Sequence, residues 1–152
     1  MAQAATDVRI RALNELDIGA IVKIDEKVTG RYRPDEWERR IAYYIRRDPE
    51  ASLVAEVNGA VVGFMLGEVR SGEFGLEEPT GWIEVLGVDP SQQGKDIGRQ
   101  LAEAMLAHFK GQGATSVRTL VDEGLKHWEQ ISRFFRSLGF EPAHVHPFVK
   151  RL

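Results

Sequence analysis

The chain has 152 residues, 43% of them apolar, and a formal charge of −3 from 20 basic and 23 acidic side chains. That is the size of one domain with a sizeable core, and the evenly spread charge leaves no basic stripe, which argues against nucleic acid as the main partner. With no cysteine, disulfides, thiolate zinc sites and a cysteine nucleophile are all excluded. The first seven residues lack an apolar core, and no run of about 18 apolar residues occurs. The expectation is therefore a disordered stretch over 1–7, one domain over 8–152, a cytoplasmic location and no membrane partner.

Val8, Ile10 and Ala12 alternate with Arg9 and Arg11, which predicts a half-buried strand. Asn14 is placed to cap a helix whose apolar stripe is Leu16, Ile18, Ile21, Val22 and Ile24, running to about Lys27. After Gly30 to Pro34, Trp37, Ile41, Tyr44 and Ile45 recur at helical spacing until Asp48-Pro49. Ser52–Val57 and Ala60–Val69 read as strands joined by Asn58-Gly59, a hairpin turn that needs positive φ at both positions. The glycine- and acid-rich stretch 71–80 reads as a mobile loop. A strand follows from Gly81 to Val88.

Ile97, Leu101, Met105 and Phe109 repeat every four residues ahead of Gly111 and Gly113, giving a strong amphipathic helix. Val117–Val121 is a further strand. Trp128, Ile131, Phe134, Phe135 and Leu138 form the face of a last helix, stopped by Gly139. Phe140–Leu152 reads as a terminal hairpin, with Pro142 and Pro147 limiting its ladder. The order β-α-α-β-β-β-α-β-α-β-β describes an α/β (α+β) domain with a mixed central sheet of six to seven strands and about four helices. An exposed edge in that hairpin is a place for a second copy to pair, so a homodimer is an expectation.

The segment Val88 to Arg99 passes from a strand through a polar turn into the strongest helix. Amides at a helix start have no intrahelical acceptors and carry the positive end of the dipole, so Gln93, Gly94, Lys95, Asp96, Ile97, Gly98 and Arg99 form a potential cradle for phosphate oxygens. Lys95 and Arg99 add charge suited to a pyrophosphate. The alternative is an ordinary strand-to-helix connection. Neither GxGxxG nor the GxxxxGK pattern with a following Ser or Thr is present.

The spacing Val88-x-Pro90-x-x-Gln93-x-x-Asp96-x-Gly98 resembles the acetyl-CoA-binding motif of GNAT acetyltransferases, Gln/Arg-x-x-Gly-x-Gly/Ala. Phe134 to Phe140 is similar to that family's closing Phe-Tyr-x-x-x-Gly-Phe signature, and the element order agrees over nearly the whole chain. The resemblance implies a GNAT-like fold, acetyl-CoA as acyl donor, and direct N-acetyl transfer without a covalent enzyme intermediate. It also implies a pyrophosphate on the turn amides, and a pantetheine arm on a splayed strand at Leu86, Gly87 and Val88. Two positions depart from the pattern. Asp96 stands where the family usually has glycine and puts a carboxylate beside the phosphates, and Phe135 stands where many relatives have a tyrosine that protonates the leaving thiolate.

An amine acceptor has to lose a proton, and Glu84, in the run Trp82 to Leu86, lies where relatives often carry a catalytic glutamate. It is the candidate base, with a solvent-facing strand residue as the alternative; Asp122 and Glu123 are backups. His127, His144 and His146 form no tight ligand cluster, so no metal is expected. Tyr32, Trp37, Tyr43 and Tyr44, and the arginines from Arg31 to Arg47, are either acceptor-lining groups or core and solvated-face residues. The acceptor expected is a primary amine, on a protein lysine or N-terminus or on a small molecule. A non-catalytic acyl-CoA-binding module is the other reading, and a plain interaction domain a third.

Overall fold

A computed structural model of the chain describes residues 7–71 and 78–152. They fall into two compact units, one up to Leu120 and one from Val121 to Leu152. Residues 1–6 of the stretch expected to be disordered and most of the expected loop of 71–80 lie outside the described residues.

The first unit holds strands β1 (Val8–Ala12), β2 (Ser52–Val57), β3 (Ala60–Arg70), β4 (Thr80–Val88) and β5 (Ser116–Thr119), and helices α1 (Ile18–Thr29), α2 (Pro34–Arg47) and α3 (Ile97–Gly111). The strands lie in chain order, β1 to β4 antiparallel and β5 parallel to β4. Asn58 and Gly59 both have positive φ, 52° and 79°, which is the local condition the β2–β3 hairpin needs. Asn14 accepts from the Leu16 amide while Asp17 accepts from the Asn14 amide, a capping box on the turn that leads into α1.

The sheet is covered on both faces. Trp37, Ile41 and Tyr44 of α2 and Ile21, Val22 and Ile24 of α1 pack with Phe64 and Leu66 on one face. Ile97, Leu101, Met105 and Phe109 of α3 are buried on the other, where Gly63 and Gly81 leave room for Ile97, Leu101 and Phe109. Burying side chains of this size stabilises by about 1.5–3 kcal/mol each, and the helical spacing read from the sequence is what lines them up.

The second unit holds α4 (Trp128–Ser137), with Gly139 at φ 92° just past its end. Five strands are present among the described residues, fewer than the six to seven expected, because Phe140–Leu152 forms no ladder. Pro142 and Pro147 each remove an amide donor, and apolar side chains such as Phe148 and Val149 stay exposed instead of pairing across a hairpin.

Candidate active site

Strand β4 is irregular where the site forms. Its register against β3 passes from Leu66 opposite Val85 to Gly67 opposite Ile83, so Glu84 is the extra residue of a β-bulge. The bulge breaks the alternation of side chains: Val85 packs against the α1–α2 cluster, and Glu84 also reaches that face, where it meets Arg70. Gly67 permits the distortion, since a Cβ there would sit 2.4 Å from the Trp82 carbonyl oxygen. The bulge therefore falls at Glu84, before Leu86, Gly87 and Val88 where the splay was expected.

Beyond the bulge, β4 loses its other neighbour. The parallel ladder with β5 runs only from Thr80 opposite Ser116 to Ile83 opposite Thr119. The Thr119 hydroxyl donates to the Ile83 carbonyl at 3.0 Å where that ladder ends. Because the Asp89 amide donates to the Val62 carbonyl, alternation along an antiparallel pair turns the backbone groups of Gly87 and Val85 toward β3. Those of Leu86 and Val88 turn away from it, into the gap left by β5. Gly87 has a packing reason of its own: a Cβ there would lie 2.6 Å from the Phe64 ring.

The polar turn follows. Asp89 accepts from both the amide and the hydroxyl of Ser91, at 3.0 and 2.9 Å, and pairs with Lys27 of α1 at 2.8 Å. The Lys27 ammonium, with the Ser91 donors, holds the Asp89 carboxyl below its usual range against the opposing effect of burial. Gly94 follows at φ 84°, and nothing lies within 4 Å of where its Cβ would be, so its backbone is open to a ligand. The first bond of the α3 ladder is donated by the Gln100 amide to the Asp96 carbonyl at 3.0 Å, so the Ile97 and Gly98 amides precede any intrahelical acceptor. Lys95 reaches Gln92 at 3.1 Å and Arg99 faces Glu103 at 3.9 Å. A cavity of about 230 Å³ lined by Val8, Val57, Lys95 and Ile97 adjoins this helix start. Open amides, a positive-φ glycine and two cations, the exposed Lys95 and the half-buried Arg99, fit a pyrophosphate.

Asp96 itself caps α3 in the left-handed region, at φ 61° and ψ 16°, with no hydrogen bond from its side chain to the helix. This is the geometric reason for a glycine at such a position: an L side chain there costs about 1–2 kcal/mol, least for Asn and Asp. The exposed Asp96 carboxylate neither caps nor pairs in the turn.

Glu84 is not a freely solvated strand residue. Its Oε1 is shut off from solvent and faces Arg70 Nη2 at 2.5 Å. Arg70 in turn meets Glu68 Oε1 through Nε at 2.5 Å and lies over the Trp82 ring. Glu68, 2% exposed, also takes Arg47 Nε at 2.7 Å and the Tyr43 hydroxyl at 3.3 Å. Tyr44 is buried, and that burial, followed by the charge of Glu84, pushes its phenol up to about 12.

Other candidates take structural places. Trp37 and Tyr44 are core residues, Tyr32 and Tyr43 are exposed. Arg33 forms two hydrogen bonds to the buried Asp25, at 2.8 and 3.1 Å, and Arg40 stacks over Trp37. Asp122 accepts from the Gly124 amide at 2.7 Å in a turn of the second unit. Phe135 is buried, in edge contact with Phe134 and Phe140 at 5.2 Å between ring centres. Among the described residues no three His, Asp or Glu side chains converge to hold a metal ion, and no helix is long and apolar enough to cross a membrane. Sequence reasoning missed Glu68 and Arg70. The available signal was phase: Glu68 follows Phe64 and Leu66 on the core-facing side of β3.

Residues 18–140 match the model of the acetyltransferase (GNAT) family. Over 104 residues, 68% of this chain, it is 38% identical to a mycothiol acetyltransferase of Thermobispora bispora, and over 98 residues it is 39% identical to one of Thermobifida fusca. The matched stretches are 34% and 29% of those relatives, so the chain spans about a third of their length. In fold it is similar to the aminoglycoside N-acetyltransferase AAC(6')-Iy in complex with CoA, with a TM-score of 0.81 at 18% identity over 99% of both chains. It is also similar to Ard1 from Thermoplasma volcanium, with a TM-score of 0.72 at 28% identity over 88% of this chain and 82% of that one. The match to the family model covers both the bulged strand and the polar turn that follows it, and the chain belongs to the acetyltransferase (GNAT) family.

Proposed function

We propose that this protein transfers the acetyl group of acetyl-CoA directly to a primary amine, with Glu84 taking the proton of the acceptor ammonium. The observation that carries this reading is the conjunction on β4: a carboxylate re-aimed by a bulge, followed at once by backbone groups that face a gap in the sheet. In this reading the Leu86 and Val88 backbone bonds the pantetheine arm, and the Gln93 to Arg99 turn holds the pyrophosphate. The neutral amine attacks the thioester carbonyl, the N–C bond forms as the C–S bond breaks, sulfur leaves as thiolate, and the second proton of the attacking nitrogen passes to that thiolate or to solvent. A thiol pKa near 8.5 allows that departure without a dedicated proton donor, which accommodates the phenylalanine at 135.

A small-molecule acceptor is the preferred class, supported by the name of the mycothiol acetyltransferase relatives. Homodimer formation belongs to the same proposal, motivated by the exposed Phe148 and Val149, and sedimentation at micromolar concentration checks it. The central test replaces Glu84 with Gln and follows coenzyme thiol release with a panel of amines. The expected outcome is a fall in kcat on the order of a hundredfold with the KM for acetyl-CoA unchanged. An unaltered rate removes Glu84 from the chemistry, and binding of acetyl-CoA by the wild type with no amine-dependent thiol release favours a non-catalytic acyl-CoA-binding module.

A further inference from the structure

We infer that Arg70, anchored on Glu68, is the positioning residue for Glu84; this rests on Glu84 being the base. Glu68 is 2% exposed, and nothing in the transfer chemistry requires a carboxylate there. A buried ion pair is a poor way to gain stability, because desolvation of the charges offsets their attraction and an apolar replacement often serves the fold as well. Charge and donors nevertheless converge on Glu68: Arg70 Nε and the Tyr43 hydroxyl of α2 bond one oxygen, and Arg47 Nε lies 2.7 Å from the other in an ion pair. What this assembly fixes is Arg70. Its Nε is tied to Glu68, its plane lies over Trp82, and its Nη2 meets Glu84 Oε1.

A β-bulge by itself leaves a glutamate free to swing through three rotatable bonds. A guanidinium fixed at Nε by Glu68 and stacked over Trp82 restricts that swing, because its rigid plane sets where the ion-paired carboxylate of Glu84 sits. With Oε1 sealed and paired, Oε2 is the oxygen left for the proton of an acceptor ammonium. Glu68 acts one step further out, through Arg70, and touches no reacting atom.

The experiment is a double-mutant cycle on the full chain, read as kcat and KM for acceptor and for acetyl-CoA. Arg70→Gln alone is expected to lower kcat by tenfold to a hundredfold, the order of effect of a misplaced catalytic group, and to leave the KM for acetyl-CoA unchanged. In the Glu84→Gln background the same change is expected to have no further effect, because the group it positions is gone. Arg70→Lys retains one charge without the fork and is expected to recover only a small part of kcat. Because Arg70→Gln strands a buried carboxylate, the charge-balanced pair Glu68→Gln with Arg70→Gln is measured beside it, with circular dichroism confirming the fold. A folded balanced variant with wild-type kcat overturns the inference, as does a loss that simply multiplies that of Glu84→Gln. If Glu84→Gln is itself without effect, the base assignment fails and the inference with it; if Glu84→Gln is slow but not coupled to Arg70, only the inference fails.

Discussion

Replacing Asp96 separates two contributions that share one residue, backbone strain and charge. At φ 61° and ψ 16° a β-carbon costs about 1–2 kcal/mol relative to glycine, with Asp and Asn toward the low end, while glycine gives back roughly 0.5–1 kcal/mol through the freedom of the unfolded chain. Asp96→Gly and Asp96→Asn are therefore expected to stay near wild-type stability. Asp96→Ala should lose about 1 kcal/mol, or roughly 2–4 °C in Tm for a chain of this size. Charge follows a different order. A carboxylate about 6 Å from a phosphate, in a water-like dielectric, weakens binding by about threefold at low salt. Asn and Gly are thus expected to tighten acetyl-CoA about equally, measured by isothermal titration, and the gain should shrink as salt rises toward physiological strength, because the group is exposed. Equal affinity for Asp96→Asn and wild type at low salt refutes the electrostatic part. A gain for Gly without one for Asn would assign the effect to the backbone.

Gly67→Ala places a Cβ 2.4 Å from a carbonyl oxygen and is expected to cost about 1–3 kcal/mol, together with kcat, because the bulge that aims Glu84 has to shift; normal kcat in a destabilised protein would uncouple the two. Acid stability is expected to depend on Asp17 and Asp25. The Arg11 guanidinium chiefly holds Asp17 below its ordinary range; for Asp25 burial acts upward but is outweighed by Arg33, the Trp37 indole and Thr29. Depressed carboxyls stabilise above their unfolded pKa near 3.9, and that stability is lost as pH falls through the lower folded values. Asp25→Asn should therefore flatten the acid limb of a urea-midpoint profile below about pH 4 and leave its shape at neutral pH unchanged.

Much of this was legible because it is local. Asn58-Gly59 declares a turn by the φ it tolerates, Ile97 to Phe109 declare a buried face by their spacing, and the glycine-and-amide logic of the Val88 to Arg99 segment depends on a helix starting where it does. What was not legible depends on register. Nothing in the run Trp82 to Leu86 says that two residues will oppose one, so the bulge at Glu84 appears only once Leu66 and Gly67 are aligned beside it. Glu68 and Arg70 look like ordinary strand charges until α2 brings Arg47 and Tyr43 over them. Phe140–Leu152 failed in the opposite direction: its composition suits strands, but a ladder needs donors on both sides, and prolines at 142 and 147 withhold them.

The short pairing of β4 with β5 has a consequence for how the protein senses its own substrate. A sheet that stops after four rungs leaves main-chain groups of Leu86 and Val88 turned away from β3 with no ladder partner among the described residues. In the proposed complex an amide-bearing arm of coenzyme becomes the missing rungs, acting as a surrogate length of strand between β4 and β5. In that complex the open end of the β4–β5 pairing is closed only while the donor is bound. Amide exchange at Leu86 and Val88 should slow when the donor binds and quicken when it leaves, which makes these two residues a built-in gauge of occupancy.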